Sequence, residues 1–140
     1  MMSIMSRILV LFALVLLLAL PGTGEARRKN AQLLFDDYNN ALRWSDYDRA
    51  WMYVDPEIRQ SNPLTDLERK RYEMVEMTSV TVRSQTVAAD GSVDQVVEIK
   101  MIGKYTQRER TITDHQHWRW DAKAKHFWLV SGLPDIMATD

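Results

Sequence analysis

The spacing of apolar residues divides the chain into a helical first half and a strand-like second half. From Lys29 to about Met74, apolar side chains recur every three to four residues, as they do on one face of an α-helix. From Val75 to Leu133, they alternate with polar side chains, which is typical of strands with one buried face. The pattern therefore predicts an α+β domain in which N-terminal helices pack on one face of an antiparallel sheet.

The first predicted helix covers about residues 31–44. One face of this segment is apolar and the other carries acidic, amide and basic side chains. We expect the apolar face to be buried against the sheet; it consists of Leu34, Tyr38, Ala41 and Leu42.

Two capping boxes predict where the following helices begin. Each places a hydroxyl side chain three positions before an acidic one: Ser45 with Asp48, and Thr65 with Glu68. The second helix is expected to end at Asp55-Pro56, because the residue before a proline avoids the α region. A short turn then opens at the proline, and the third helix reaches about Tyr72.

The second half predicts a meander of four antiparallel strands. Asp90-Gly91 supplies the first hairpin turn, since glycine tolerates the positive φ that such turns require. Residues 121–125 form the last turn. The four strands are predicted at residues 76–87, 93–105, 108–120 and 126–132.

The register of the last hairpin decides which side chains share a face, because a one-residue slip reverses every side chain. If Trp118 lies opposite Phe127, then His126 shares a face with the other two histidines. If Trp118 lies opposite Trp128, His126 moves to the other face. The second register is favoured because it gathers one apolar core face, formed by Ile112, Trp118, Trp120, Trp128 and Val130.

The first 26 residues have the layout of a secretory signal peptide. Arg7 precedes an unbroken apolar run at residues 8–20, and Pro21 and the small-residue triplet Gly24-Glu25-Ala26 follow it. The sequence predicts export to a periplasmic or extracellular compartment. The basic cluster Arg27-Arg28-Lys29 leaves an alternative open, in which residues 4–20 stay uncleaved as a membrane anchor.

Composition excludes several classes of protein. The chain has no cysteine, so it has no disulfide, thiolate metal site or catalytic thiol. Its net charge of −1 gives no electrostatic steering toward nucleic acid. Phosphate-binding glycine loops and hydrolase signatures are also absent from the sequence. Residues 27–140 are therefore expected to form one domain held together by its apolar core.

Several segments resemble the NTF2-like superfamily, which includes ketosteroid-isomerase-like and SnoaL-like domains. The order of elements is similar, and so are four local segments: Tyr38–Leu42, Ser45–Tyr47, Val54–Glu57, and the closing pair Trp118–Trp120 with Trp128–Val130. The resemblance implies a cone-shaped fold with a pocket between the helices and a concave sheet, often in a dimer. The superfamily contains isomerases, dehydratases and hydrolases as well as domains without catalytic activity, so the fold does not decide the function.

Asp114 is the candidate catalytic residue. It is predicted to point inward on the third strand, where a carboxylate without a partner has a raised pKa that suits a general base. The predicted pocket residues are Tyr38, Trp51, Tyr105, Gln116 and Trp118. His115, His117 and His126 form a metal trio only in the less favoured register, so no metal and no cofactor are predicted.

The sequence favours an exported, non-catalytic module that binds an envelope protein or a small apolar ligand. The alternative is a small cofactor-free enzyme that uses acid–base chemistry in the cone. A homodimer through the outer sheet face is expected, because Phe127–Val130 is apolar on both faces. No nucleic-acid partner is predicted, and contact with a membrane is expected only through an uncleaved N-terminal segment.

Overall fold

The computed structural model describes residues 23–138. The predicted signal peptide, or anchor, therefore lies almost wholly outside the described residues. The chain divides into two compact units, Met1–Gln32 and Leu33–Asp140. Of the first unit, only the beginning of a helix is described, and the fold below is that of the second. Within residues 23–138, no helix is long and apolar enough to cross a membrane.

Within residues 23–138, four helices precede four strands. The order of helices before strands is as predicted, and the additional helix is the segment opened by Pro56, where only a short turn is predicted. The first helix begins eight residues before the predicted start and includes the Gly24-Glu25-Ala26 triplet. The second is little more than one turn long. Their bounds are α1 (Thr23–Arg43), α2 (Tyr47–Trp51), α3 (Pro56–Ser61) and α4 (Asp66–Glu73).

The predicted capping box at Ser45 is wrong, whereas the one at Thr65 is confirmed. Thr65 accepts from the Glu68 backbone, and the Glu68 carboxylate accepts from the Thr65 backbone. Ser45 instead ends α1 in a left-handed conformation, with φ 57°, and its N–H donates to Leu42 O. The N-cap of α2 is the next residue, Asp46, whose carboxylate accepts from the Arg49 N–H.

The sheet is a four-stranded antiparallel meander in the order β1-β2-β3-β4. Two β-bulges interrupt the first strand, between Met77 and Ser79 and between Val82 and Ser84. Beyond β4, Val54 adds a single parallel bridge to Leu129. The strands are β1 (Val75–Val87), β2 (Val93–Gly103), β3 (Glu109–Asp121) and β4 (His126–Leu129).

The favoured register of the last hairpin is wrong. Trp118 lies opposite Leu129, and Asp121 lies opposite His126. β3 ends one residue later than predicted, at Asp121, whose carboxylate accepts from the N–H groups of Lys123 and Ala124 and so tightens the turn. Trp128 consequently points to the outer face, and the inner face of this hairpin consists of Trp118, Trp120, Phe127 and Leu129.

The part of α1 that belongs to the second unit packs on the inner face of the sheet. Phe35 contacts Trp118 and Phe127, with ring centroids 4.9 and 5.3 Å apart. At the end of the helix, Arg43 donates to Met77 O on β1. The helix thus crosses from β4 to the start of β1 and buries the core that the apolar spacing predicts. On β2 and β3, the inner face consists of Val93, Gln95, Val97, Ile99, Met101, Ile112, Asp114, Gln116, Trp118 and Trp120.

The inner face of β1 is less covered toward the end of the strand. Met77 is buried, but Val82 is 39% exposed and Val87 is 69% exposed. Gln85, between them, is also exposed. This margin is where solvent reaches the inner face of the sheet.

Candidate functional site

Asp114 lies in the middle of β3, on the inner face and opposite Val97. Its side chain is half-buried. Burial raises the pKa of Asp114 to about 6, although the hydrogen bond that its carboxylate accepts from Gln116 Nε2, at 3.1 Å, opposes the shift. A carboxyl group with this pKa exchanges its proton near neutral pH, as the sequence-based hypothesis requires.

Gln116 connects Asp114 to the packing under α1. Its Nε2 donates to Asn39 Oδ1 at 3.1 Å, and its Oε1 accepts from Trp118 Nε1 at 3.2 Å. Gln116 and Trp118 are fully buried, and Asn39 is 9% exposed. These four side chains form one hydrogen-bonded series, named here the inner polar chain: Asp114, Gln116, Asn39 and Trp118.

Tyr38 borders the inner polar chain from α1. Its ring lies edge-on to Trp118, with centroids 5.2 Å apart, and the side chain is completely buried. Burial, and next the charge of Asp114, raises the pKa of Tyr38 well above its usual range. The hydroxyl therefore keeps its proton and is available as a hydrogen-bond donor.

Three buried polar atoms on this face have no hydrogen-bond partner within residues 23–138: Tyr38 Oη, Asn39 Nδ2 and Gln95 Oε1. Gln95 lies directly opposite Gln116 in the sheet, and its Nε2 donates to Gln85 Oε1 at 2.7 Å. Buried polar groups in folded proteins are almost always paired. Three unpaired groups beside one half-buried carboxyl distinguish this region from the apolar remainder of the core.

Tyr72, at the end of α4, is the second tyrosine on which the charge of Asp114 acts. Its hydroxyl donates to Pro134 O at 2.8 Å, so α4 holds the C-terminal segment in place. Burial raises the pKa of Tyr72, and the charges of Glu68 and then Asp114 raise it further. Asp114 thus acts electrostatically on two tyrosines from two helices.

The structure brings together three of the five predicted pocket residues with Asp114: Tyr38, Gln116 and Trp118. Trp51 is half-buried in α2, and no hydrogen bond within residues 23–138 joins it to the inner polar chain. Tyr105 is 81% exposed in the turn after β2. Sequence reasoning missed Asn39, Gln95 and Tyr72; the alternation along β2 places Gln95 in line with Val93 and Val97, which was the available signal.

The histidines lie on the outer face and do not converge. His117 Nδ1 lies 2.6 Å from Asp94 Oδ1, and the His126 ring packs edge-on to Trp128. His126 pairs with Asp121, four residues along β3 from His117, which is about 13 Å at strand spacing. Burial lowers the pKa of His126. Residues 23–138 contain no group of three or more histidine or acidic side chains that could hold a metal ion.

Arg119, on the outer face, forms a part-buried ion pair with Asp55. Arg119 Nη2 donates to Asp55 Oδ2 at 2.6 Å, and the Asp55 side chain is only 6% exposed. Although burial raises the pKa of Asp55, the hydrogen bonds from Arg119 and from the Glu57 backbone lower it more. Because Asp55 is also the N-cap of α3 and its N–H donates to Leu129 O, the pair fixes this helix to the sheet.

One end of the molecule exposes large side chains around a shallow cavity of about 200 Å³, which is lined by Arg43, Trp44, Ser45, Glu76 and Lys104. Trp44 is 70% exposed, and the guanidinium of Arg43 lies 5.0 Å from its ring centroid. Met74, whose carbonyl accepts from the Lys104 N–H, is 51% exposed. This end combines aromatic, thioether and basic groups, as protein-binding surfaces often do.

No protein-family model, curated protein or solved structure matches this chain.

Proposed function

We propose that residues 27–140 form an exported, non-catalytic NTF2-like domain of the cell envelope that binds a small ligand on the inner face of its sheet. The observation that supports this most is the set of unpaired polar atoms, Tyr38 Oη, Asn39 Nδ2 and Gln95 Oε1, beside the half-buried Asp114. A ligand that meets these atoms recovers hydrogen bonds that the unliganded core does not make.

The surroundings of these atoms agree with a ligand that has an apolar body and a polar edge. Trp118 and Phe35 supply apolar surface, and Val82 continues it to the exposed margin of β1. The ligand expected from the sequence alone is a small apolar one. The buried amides of Asn39 and Gln95 additionally require that the ligand carry polar groups that can hydrogen-bond to them.

The experiment is purification of the native protein from envelope fractions, followed by denaturation, organic extraction and mass spectrometry of the released small molecules. We expect one compound in near-stoichiometric amount from the wild type. A matched pair of variants tests the location: Asn39→Leu should lose the compound, and Asn40→Leu, an exposed neighbour on α1, should retain it. A wild-type sample that releases no compound, with its core intact by circular dichroism, contradicts the proposal.

The alternative function is acid–base catalysis at Asp114, of the isomerase, dehydratase or hydrolase type. It is favoured by one specific observation, a carboxyl group of pKa about 6 whose charge also acts on the hydroxyl of Tyr38. Once a reaction is found, Asp114→Asn should reduce kcat by at least about 100-fold, the usual contribution of a general base. Unchanged turnover in that variant rejects the alternative.

Partner binding is proposed at two other surfaces. The exposed end around Trp44 suits an envelope protein, and outward-facing Trp128, half-buried on β4, suits a second copy of the chain. Affinity purification from envelope fractions with the Trp44→Ala variant tests the first surface. Sedimentation velocity of wild type and Trp128→Arg tests the second, and a monomeric wild type rejects it.

A further inference from the structure

Three glutamines form a row across the inner face of the sheet. Strand pairing places Gln95 directly opposite Gln85 on β1 and directly opposite Gln116 on β3. Gln85 is exposed, whereas Gln95 and Gln116 are each only 1% exposed. Side chains directly opposite each other have Cβ atoms about 5 Å apart. The row therefore leads from solvent at the margin of β1 to the inner polar chain under α1.

The indole of Trp118 determines the direction of the hydrogen bonds next to this row. An indole N–H can only donate, so Gln116 must present its Oε1 to Trp118. Gln116 Nε2 is then the donor to Asn39, which must present its Oδ1. The atom left over on Asn39 is consequently its Nδ2, a donor, and it has no partner within residues 23–138.

Gln95 supplies the complementary atom. Its Nε2 donates to Gln85 Oε1, and its Oε1 is buried without a partner in the described part of the chain. Asn39 is bonded to Gln116 and Gln95 lies opposite it, so a buried donor and a buried acceptor both belong to neighbours of Gln116. Both atoms are closed to solvent, so an occupant must displace a side chain, and Gln85 is the exposed member of the row.

We propose that this row is a binding site for a carboxamide group, an inference that rests on the ligand-binding function proposed above. A single amide offers a carbonyl oxygen to Asn39 Nδ2 and an N–H to Gln95 Oε1. A carboxylate offers no donor and meets the negative charge of Asp114, and a hydrocarbon offers neither group. The side chain of Gln85 is itself a primary amide, and its Oε1 accepts from Gln95 Nε2. The ligand displaces Gln85, and its carbonyl oxygen, which has two lone pairs, also accepts from Gln95 Nε2.

Benzamide is the probe, with benzoate and toluene as matched controls that keep the ring and change the polar group. Binding is followed by the side-chain amide signals of Asn39 and Gln95 in ¹H–¹⁵N correlation spectra of the wild type. We expect benzamide to shift both signals in a saturable manner. Benzoate and toluene at the same concentration should leave them unchanged.

Variants locate the site. Asn39→Leu should weaken benzamide binding about tenfold, the effect of one lost buried hydrogen bond, and Asn40→Leu should leave it within about twofold. Gln85→Ala should strengthen binding, because the competing internal amide is gone. If Asn39→Leu does not fold, Asn39→Asp removes the same donor with little change in shape.

The outcomes separate this inference from the proposed function. Toluene or benzoate shifting the Asn39 and Gln95 signals as strongly as benzamide overturns the amide preference and leaves a ligand site in place. No shift with any probe, together with long-lived water contacts to Asn39 Nδ2, overturns the amide site. In that case, extraction of a native compound still decides whether the domain binds another ligand.

Discussion

On the outer face of the sheet, polar side chains meet solvent and bond one another there, whereas on the inner face the amides of Asn39 and Gln95 are buried and only partly paired. Arg83 bonds Glu98 at 2.8 Å and His117 contacts Asp94 at 2.6 Å, all at exposed or half-exposed positions. On the inner face, Asn39 and Gln95 each leave one buried atom without a partner in the described residues.

The two faces therefore make different contributions to stability. Exposed ion pairs contribute about 0–1 kcal/mol each, so the outer face tolerates change. An unpaired buried polar group costs about 1–3 kcal/mol, which the apolar packing around Trp118 has to offset. Substitutions on matched positions of the two faces test this difference.

The largest expected contrast is between two tryptophans. Trp118→Ala should lower the free energy of unfolding by about 3–5 kcal/mol, because a fully buried ring and its packing against Phe35 and Tyr38 are lost. Trp128→Ala, at a half-buried outer position, should cost about 1–2 kcal/mol. Urea denaturation followed by circular dichroism measures both. Equal losses would contradict the assignment of inner and outer faces.

Asp114→Asn should stabilise the protein by up to about 3 kcal/mol at pH 8. The pKa of Asp114 is raised from 3.8 to about 6 in the folded state, so the folded protein binds this proton more tightly than the unfolded chain. The free energy of unfolding of the wild type accordingly falls as the pH rises from about 4 to about 6. The Asp114→Asn variant has no carboxyl group at this position and does not show that loss.

Unfolding free energies measured at pH 4 and pH 8 test this expectation. The gain should be present at pH 8 and close to zero at pH 4. Asp94→Asn on the outer face is the control and should change stability by no more than about 0.5 kcal/mol. A gain of the same size at both pH values would show that Asp114 is not a buried carboxylate of raised pKa.

Arg119→Ala should destabilise by about 1–3 kcal/mol at pH 7, because it leaves the Asp55 carboxylate buried without its cation. Folding lowers the pKa of Asp55, so the stabilisation by the Arg119–Asp55 pair is fully present above the pKa of an unfolded aspartate, near 4. This stabilisation is lost as the pH falls through the lower pKa that Asp55 has in the folded protein. Arg83→Ala, in an exposed pair with Glu98, should cost less than about 0.5 kcal/mol in the same chemical denaturation series.

The smallest contrast is between two tyrosine hydroxyls. Tyr72→Phe removes the hydrogen bond to Pro134 O and should cost about 1 kcal/mol. Tyr38→Phe removes a buried hydroxyl without a partner in residues 23–138, and should be neutral or slightly stabilising. Thermal unfolding at pH 7 compares them, and a loss for Tyr38→Phe as large as that for Tyr72→Phe would mean that the Tyr38 hydroxyl has a partner.

The order of elements, the meander and the inward direction of Asp114 could be predicted from the sequence, because apolar alternation on β3 places Ile112, Asp114 and Trp118 on one face. The role of Ser45 could not be predicted. Ser45 has the residue type of an N-cap, but the backbone leaves the helix in the left-handed region there, and its hydroxyl accepts from Met77 N–H instead. That contact joins residues distant in the chain, and local spacing carries no sign of it.

The register of the last hairpin was predicted wrongly for a related reason. Both registers weighed from the sequence put an apolar residue opposite Trp118, so hydrophobic pattern alone could not separate them from the observed one. The turn geometry decides, through the Asp121 carboxylate and the left-handed Lys125, with φ 50°. Among the buried amides of the site, only Gln116 was predicted, because Asn39 and Gln95 look like ordinary surface amides until the helix covers them.

The two bulges in β1 have a consequence for self-association. This strand forms one edge of the sheet, and a long, flat edge of valine and threonine can template fibril growth. The extra residues Thr78 and Arg83 break it into short twisted segments, and Arg83 adds a charge at the second break. Deleting both residues would straighten the edge and create an aggregation-prone surface.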